Sequence, residues 1–145
     1  MYKRILIATD GSDLAAKAVS VGLQLAKALG AEIVALSATE PWSSMVGPEG
    51  SAFNFPIEDY ERAAAESASR ILDDVRQQAI SMGLASETVH AKDFPAEAIV
   101  DGATSMHCDL IVMASHGRRG LARALLGSQA LRVLTLSSVP VLICR

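Results

Sequence analysis

Ile5-Leu6-Ile7-Ala8-Thr9-Asp10-Gly11-Ser12, near the start of the chain, is the stretch that decides the fold. Its first half is a compact apolar run, typical of a buried strand, and its second half holds the residue types of a turn. Ser12 can cap a helix, and Asp13 follows it in the first turn, where the helix dipole favours an acid. The stretch therefore predicts a buried strand that leads through a tight turn into a helix.

The same pattern repeats along the rest of the chain. Further apolar runs predict strands at residues 31–38, 87–91, 109–115 and 139–144, and helical spacing of apolar residues separates these runs. Buried strands that alternate with helices indicate a parallel sheet covered on both faces. Pro140 cannot donate to a sheet, so we expect the last strand to lie at an edge. The prediction is a single α/β domain, residues 1–145, with an open five-stranded parallel sheet and helices on both faces.

One helix and the segment before it differ in character from the other elements. Residues 40–55 are rich in Pro, Gly and Ser, which predicts a long loop. Residues 57–82 predict a helix whose charged face we expect to be solvated. The opposite face of this helix is one stripe, formed by Tyr60, Ala64, Ser67, Ile71, Val75, Ala79 and Met82.

Composition excludes several classes of protein. The 145 residues are half apolar and carry a formal net charge of −3, which argues against nucleic-acid binding, because that usually requires a basic face. The N-terminal apolar run is too short to span a membrane. The two cysteines, Cys108 and Cys144, lack the spacing of a zinc site or a disulfide framework. We expect free, buried thiols and a cytoplasmic protein that binds neither nucleic acid nor membrane.

A group of candidate functional residues follows the fourth predicted strand. Gly117 and Gly127 can take positive φ there and can let backbone N–H groups approach an anion without a Cβ atom in the way. Ser128 stands where the next helix begins, so free N–H groups and the helix dipole point at the same place. No acidic residue follows Asp109, whereas five arginines do: Arg118, Arg119, Arg123, Arg132 and Arg145. This segment predicts a cradle for phosphate groups.

These motifs together resemble the universal stress protein family. Its ATP-binding branch shows Gly, two residues, Gly, nine residues and then Gly-Ser or Gly-Thr, and Gly117, nine residues and Gly127-Ser128 match the second part of that pattern. Residues 5–12, 95–99 and 139–142 are also similar to the family, so the resemblance spans nearly the whole chain. It implies a Rossmann-like sheet with strand order 3-2-1-4-5. It also implies an ATP-binding regulatory module of the stress response, with little or slow ATP turnover.

One position departs from the family pattern, because Ala114 stands where the motif has its first glycine. An alanine is costly only where φ is positive. Since Ala114 lies at the end of a predicted strand, we expect a negative φ and little cost.

The resemblance also implies where the nucleoside would lie. Thr9 and Ala38, at the ends of the first two strands, would line the adenine pocket. Met113 and Ala114 would run beside the adenosine. Asp10 would meet the ribose or a Mg²⁺ that bridges phosphates, because magnesium usually binds through substrate oxygens and few carboxylates.

Phosphates and a second copy of the chain are the remaining partners that the resemblance implies. The residues that would hold phosphates are Gly117, Gly127, Ser128 and Gln129. A symmetric homodimer would form through the edge strand from Val139 to Cys144, since an exposed edge pairs readily with its own copy.

Other interpretations stay open from the sequence alone. Asp10 could be only a turn former, and Gly117 and Gly127 only turn and cap glycines. For His116 we favour a structural hydrogen bond, because the sequence places no nucleophile or acid beside it, and we assign no catalytic residue. The chain has no GxxxxGK[ST], so it is not a Walker-type enzyme. The alternative functions are a weak ATPase or autophosphorylating enzyme and a protein-interaction module with a vestigial pocket.

Overall fold

The computed structural model describes residues 1–45, 56–117 and 126–145. Within these residues, strands β1 to β5 are Arg4–Ala8, Glu32–Thr39, Ser86–Lys92, Leu110–Ala114 and Val141–Cys144. Helices α1 to α4 are Asp13–Leu29, Ile57–Ser81, Pro95–Ser105 and Ser128–Leu136, and a short 3-10 helix covers Trp42–Met45.

All the strand pairs are parallel, and the strand order is β3-β2-β1-β4-β5. This confirms the predicted open five-stranded sheet with the order 3-2-1-4-5, and it confirms that the last strand lies at an edge. The chain runs outward from β1 through β2 to β3 and then returns to the other side of β1. The strand order therefore reverses beside β1, which is where open α/β sheets bind ligands.

Two apolar cores cover the two faces of the sheet, as predicted. Ile5 and Ile7 of β1 belong to the core beneath α1 and α2, whereas Leu6 belongs to the core beneath α3 and α4. Alternate strand residues point to opposite faces, so a central strand must be apolar throughout. These three side chains have no exposed surface.

The ends of α1 follow the capping residues in the sequence. The Ser12 hydroxyl accepts a hydrogen bond from the Ala15 N–H at 3.2 Å. Gly30 ends the helix in the left-handed region at φ 66°, a conformation that glycine adopts without strain. Gly11, in the turn before the helix, also has a positive φ, 78°.

The C-terminal part of the chain differs from the prediction in its boundaries. β5 begins at Val141 and not at Val139, and α4 ends at Leu136. The Ser137 hydroxyl donates to the Val139 carbonyl at 2.7 Å and accepts from the Val139 N–H at 3.1 Å. These two bonds close a turn before Pro140, which has no N–H of its own to give to the sheet.

Two further expectations concern thiols and the loop before α2. Cys108 and Cys144 are free and buried, as predicted, and burial raises the pKa of both thiols. The predicted loop at residues 40–55 contains the 3-10 helix, and its residues 46–55 lie outside the described residues. No helix in the described part of the chain has the length and apolar character that a membrane span needs.

Candidate functional site

A cavity of about 730 Å³ opens at the carboxyl ends of β1, β2 and β4. α2 lines it on one side, and the first turns of α3 and α4 line it on the other. Its volume is within the range of small-molecule sites. All the site residues predicted from the sequence line this cavity: Thr9, Asp10, Ala38, Met113, Ala114, Gly117, Gly127, Ser128 and Gln129.

Asp10 belongs both to the turn after β1 and to the cavity. Its Oδ1 accepts a hydrogen bond from the Ser12 N–H at 2.9 Å, and the Thr9 hydroxyl accepts one from the Gly11 N–H at 3.2 Å. The Oδ2 atom of Asp10 faces Gly117: a Cβ atom on that glycine would lie 2.9 Å from Oδ2. The carboxylate is therefore held at the junction of the loops that follow β1 and β4.

Gly127 lies where α4 begins and packs directly on the loop after β4. Its N–H donates to the Ser115 carbonyl at 2.8 Å, and the Ser115 N–H donates to the Cys144 carbonyl at the same distance. A Cβ atom on Gly127 would lie 2.7 Å from the Ser115 carbonyl oxygen. The start of α4 is thus fixed to the ends of β4 and β5 by backbone contacts that leave no room for a side chain.

Gly117 and Gly127 do not use the positive φ that a glycine allows. Gly127 has φ −70°, and Gly117 is not among the glycines with positive φ. What each position requires is space, because a neighbouring carboxylate or carbonyl oxygen occupies the volume of a Cβ atom. The expectation for Ala114 is confirmed, since it ends β4 without a positive φ.

The first turn of α4 presents hydrogen-bond donors to the cavity. Gly127 at the N-cap has no side chain that could satisfy the N–H groups of this turn, and Ser128 and Gln129 line the cavity. The helix dipole adds partial positive charge here. The Gln129 amide oxygen accepts from the Ala96 N–H at 3.1 Å, which ties α4 to the start of α3. The amide group of Gln129 keeps its two N–H donors.

The α2 wall of the cavity is a feature that the sequence did not identify. The predicted stripe divides into two parts: Val75 and Ala79 are buried in the core, whereas Tyr60, Ala64, Ser67 and Ile71 line the cavity. The Tyr60 hydroxyl donates to the Glu40 carbonyl at 2.6 Å and fixes the first turn of α2 to the end of β2. A helical period indicates which face turns inward, but not whether that face meets a core or a cavity.

The sequence interpretation also did not place Ser37 in the site, although the sequence contains one signal for it. Ser37 is a polar residue inside the otherwise apolar run of β2, and it is buried in the cavity wall. Glu40, Pro95 and Ile99 also line the cavity, and the sequence interpretation assigned none of them to the site.

His116 has the structural hydrogen bond that the sequence favoured. Its Nδ1 lies 3.0 Å from the Ser115 hydroxyl oxygen. Its Nε2 is buried and has no partner in the ranges that the structure describes.

Among the residues that the structure describes, the charged side chains that line the cavity are the carboxylates of Asp10 and Glu40. An ion pair lies outside the cavity, between α3 and α4. Arg132 binds Glu97 through its Nε at 2.6 Å, and this hydrogen bond lowers the pKa of the Glu97 carboxyl. Arg118, Arg119 and Arg123 lie outside the described residues. Those described residues contain no group of three or more His, Cys, Asp or Glu side chains that could hold a metal by themselves.

A parallel sheet whose strand order reverses beside a small-molecule cavity defines a doubly wound α/β protein. The sequence matches the universal stress protein family over residues 1–145, and the chain belongs to that family. The resemblance noted from the motifs is thereby confirmed.

Relatives support this assignment over the full length of the chain. Universal stress protein YxiE of Bacillus subtilis is 34% identical over 149 residues that cover all of both chains. The solved structure of MJ0577, a universal stress protein of Methanocaldococcus jannaschii, has a TM-score of 0.81 at 27% identity and covers 99% of this chain and 96% of that one. A universal stress protein solved in complex with cAMP has a TM-score of 0.71 at 26% identity, with 99% and 97% covered.

Proposed function

We propose that the cavity binds an adenine nucleotide, with ATP as the first candidate, and that nucleotide binding serves a regulatory role. The observation that carries the proposal is the junction of Asp10, Gly117 and Gly127, where a carboxylate and the N–H groups of α4 meet at one end of the cavity. A related universal stress protein has been solved with cAMP, which supports an adenine nucleotide as the ligand class.

The proposed orientation follows from the two ends of the cavity. Phosphates lie at the first turn of α4, against Gly127, Ser128 and Gln129, where N–H donors and the helix dipole favour an anion. β1 separates β2 from β4, so the end of β2 lies roughly 10 Å from the end of β4 at the usual strand spacing. The base then lies near Ala38 and Thr9, and the adenosine runs beside the end of β4 at Met113 and Ala114.

Asp10 would bind a Mg²⁺ ion that the phosphates also bind. Magnesium is typically bound by one or two carboxylates together with phosphate oxygens, so a full set of protein ligands is not required. Two carboxylates, Asp10 and Glu40, line the cavity, and a cation would offset their repulsion of a polyphosphate.

We further propose that turnover is slow and that the protein acts in the cytoplasm during stress. His116 lines the cavity, but its Nε2, the nitrogen that the bond from Nδ1 to Ser115 leaves free, is buried, so it does not reach a water on a phosphate. ATP would act through its different affinity for two states of the protein. Release of phosphate from saturating Mg²⁺-ATP at more than a few turnovers per hour would contradict this part of the proposal.

The edge strand supports the proposed homodimer through Val139 to Cys144. β5 has one unpaired edge, and Leu142 is 37% exposed on it. Leucines on the neighbouring helix are also exposed: Leu131, Leu134 and Leu136. We expect sedimentation to give a dimer for the natural chain and a monomer for Leu142→Lys, because a buried lysine at a pairing edge is unfavourable. A monomeric natural chain at micromolar concentration would contradict the dimer.

Two matched variants of α2 test nucleotide binding. Ala64 lines the cavity, whereas Ala65 is exposed on the same helix outside it. We expect Ala64→Phe to fill the cavity and to weaken ATP binding at least tenfold in equilibrium dialysis, and Ala65→Phe to bind as the natural chain does. Thermal unfolding of both variants shows whether the fold is kept. Failure of the natural chain to retain ATP would refute the proposed function.

A further inference from the structure

Ser37 is an exception among the buried polar side chains of the cavity. Within the described residues, three such side chains are buried: Thr9, Ser37 and Ser115. The Thr9 hydroxyl accepts from the Gly11 N–H, and the Ser115 hydroxyl pairs with His116. The Ser37 hydroxyl has no hydrogen-bond partner in the described parts of the chain, although the residue is only 3% exposed. The Ser37 Oγ is not among the described buried atoms that lack a partner, so the hydroxyl reaches the open space of the cavity, where a ligand can bind it.

The surrounding strands do not offer Ser37 a partner. Residues 37 and 39 point to the same face of β2, because side chains alternate along a strand. His90 lies opposite Ser37 in β3, but its Nε2 is 2.8 Å from the Thr39 hydroxyl oxygen and is used by that residue. The side chain opposite Ser37 is therefore paired with Thr39, and Ser37 lines the cavity.

The position of Ser37 places it at the end of the cavity opposite to α4. It lies on the same strand face as Ile33 and Ala35, which belong to the core beneath α2. From α2, a second hydroxyl, that of Ser67, lines the cavity among small or apolar residues: Ala63, Ala64, Ala68 and Ile71. An apolar wall of small side chains with two hydroxyls suits a flat ring whose edge carries hydrogen-bonding groups.

We propose that the Ser37 hydroxyl, together with that of Ser67, binds the edge of the nucleobase. The inference rests on the proposed nucleotide binding and names the group that anchors the base. A hydroxyl both donates and accepts, so it can pair with the amino group or a ring nitrogen of adenine, or with the carbonyl of another purine. Ser37 thus contributes affinity for the base and leaves the phosphates to α4.

The test compares Ser37→Ala with the natural chain, using ATP and inorganic tripolyphosphate as probes in calorimetry. We expect Ser37→Ala to weaken ATP binding about three- to tenfold, the size of one neutral hydrogen bond, and to leave tripolyphosphate binding unchanged. Its thermal stability should not fall, because the substitution removes a hydroxyl that has no protein partner. Ser69→Ala, at an exposed position of α2 outside the cavity, is the control and should match the natural chain.

The outcomes separate this inference from the proposed function. If the natural chain binds ATP and Ser37→Ala binds it equally well, the inference is wrong while nucleotide binding stands. If Ser37→Ala weakens ATP and tripolyphosphate alike, or unfolds at a lower temperature, Ser37 has a structural role and the inference is also wrong. If the natural chain binds tripolyphosphate but not ATP, both the proposed function and the base subsite are refuted.

Discussion

Gly117 lies directly against Asp10, and a Cβ atom on the glycine would stand 2.9 Å from Oδ2 of the carboxylate. This contact joins the loops that follow β1 and β4, the two strands on either side of the point where the strand order reverses. Gly127 has an even closer neighbour, the Ser115 carbonyl oxygen, at 2.7 Å from the position of its Cβ. The two glycines differ in what the neighbour can do, since a carboxylate can rotate and a backbone carbonyl cannot.

This difference predicts that Gly127→Ala mainly lowers stability, whereas Gly117→Ala mainly weakens nucleotide binding. We expect Gly127→Ala to lower the free energy of unfolding by about 1–3 kcal/mol, because the backbone at Ser115 must move. Gly117→Ala should cost less stability but displace the Asp10 carboxylate and weaken Mg²⁺-ATP binding. Urea denaturation and calorimetry measure the two quantities, and equal losses of stability in both variants would contradict the explanation.

The fold could be predicted because its signal is local. Buried parallel strands must be apolar on both faces, and the runs at β1 and β4 have that character without interruption. Cap residues such as Ser12 and Gly30 then set the ends of α1. The start of β5 was predicted two residues too early, because the bonds between Ser137 and Val139 that close the turn depend on conformation and not on residue type alone.

The site could be predicted only in part, because its geometry depends on contacts between distant residues. The sequence identified Gly117 and Gly127 as positions without a Cβ atom, but it did not show that Asp10 and Ser115 are the neighbours that need the space. Likewise, the sequence shows Ser37 only as a polar residue in an apolar run, whereas the pairing of His90 with Thr39 depends on the fold. Residue types indicate which groups are available, and the tertiary path decides which of them remain without a partner.

Ala114→Gly tests whether the departure from the family motif matters. Ala114 is buried at the end of β4 and packs in the core beneath α1 and α2. A glycine there gains no conformation that the strand uses and loses a buried methyl group, so we expect a loss of about 0.5–1 kcal/mol in stability. ATP affinity should not rise. A variant that binds ATP much more tightly, measured by calorimetry beside the natural chain, would show that the methyl group obstructs the ligand.

Gln129→Glu is expected to separate stability from binding. The Gln129 oxygen accepts from the Ala96 N–H in the first turn of α3, and a carboxylate in the same place would interact more favourably with that helix N-terminus. Stability should rise by about 0.3–1 kcal/mol at low salt. ATP affinity should fall, because the new charge lies beside the proposed phosphate position and two N–H donors are lost. Gln129→Ala is the control, and it should lower both quantities.

His90 gives the protein a predicted sensitivity to acid. Its pKa lies below the ordinary value of 6.5, first because partial burial disfavours the charged ring and second because Lys92 is a nearby cation. The unfolded chain therefore takes up a proton at higher pH than the folded chain does. Folding stability linked to His90 is present in full above about pH 6.5 and declines as the pH falls toward the folded pKa.

Two variants and an NMR titration of the His90 ring check this linkage. Gln at position 90 keeps a polar group beside Thr39 but cannot titrate, so His90→Gln should show a smaller loss of stability between pH 6.5 and lower pH than the natural chain. Lys92→Gln removes the cation and should raise the pKa of His90 without restoring it fully, because burial remains the larger cause. A His90 ring that titrates at or above 6.5 in the natural chain would overturn the prediction, since the folded state would then favour the protonated form and the sign of the pH dependence would reverse.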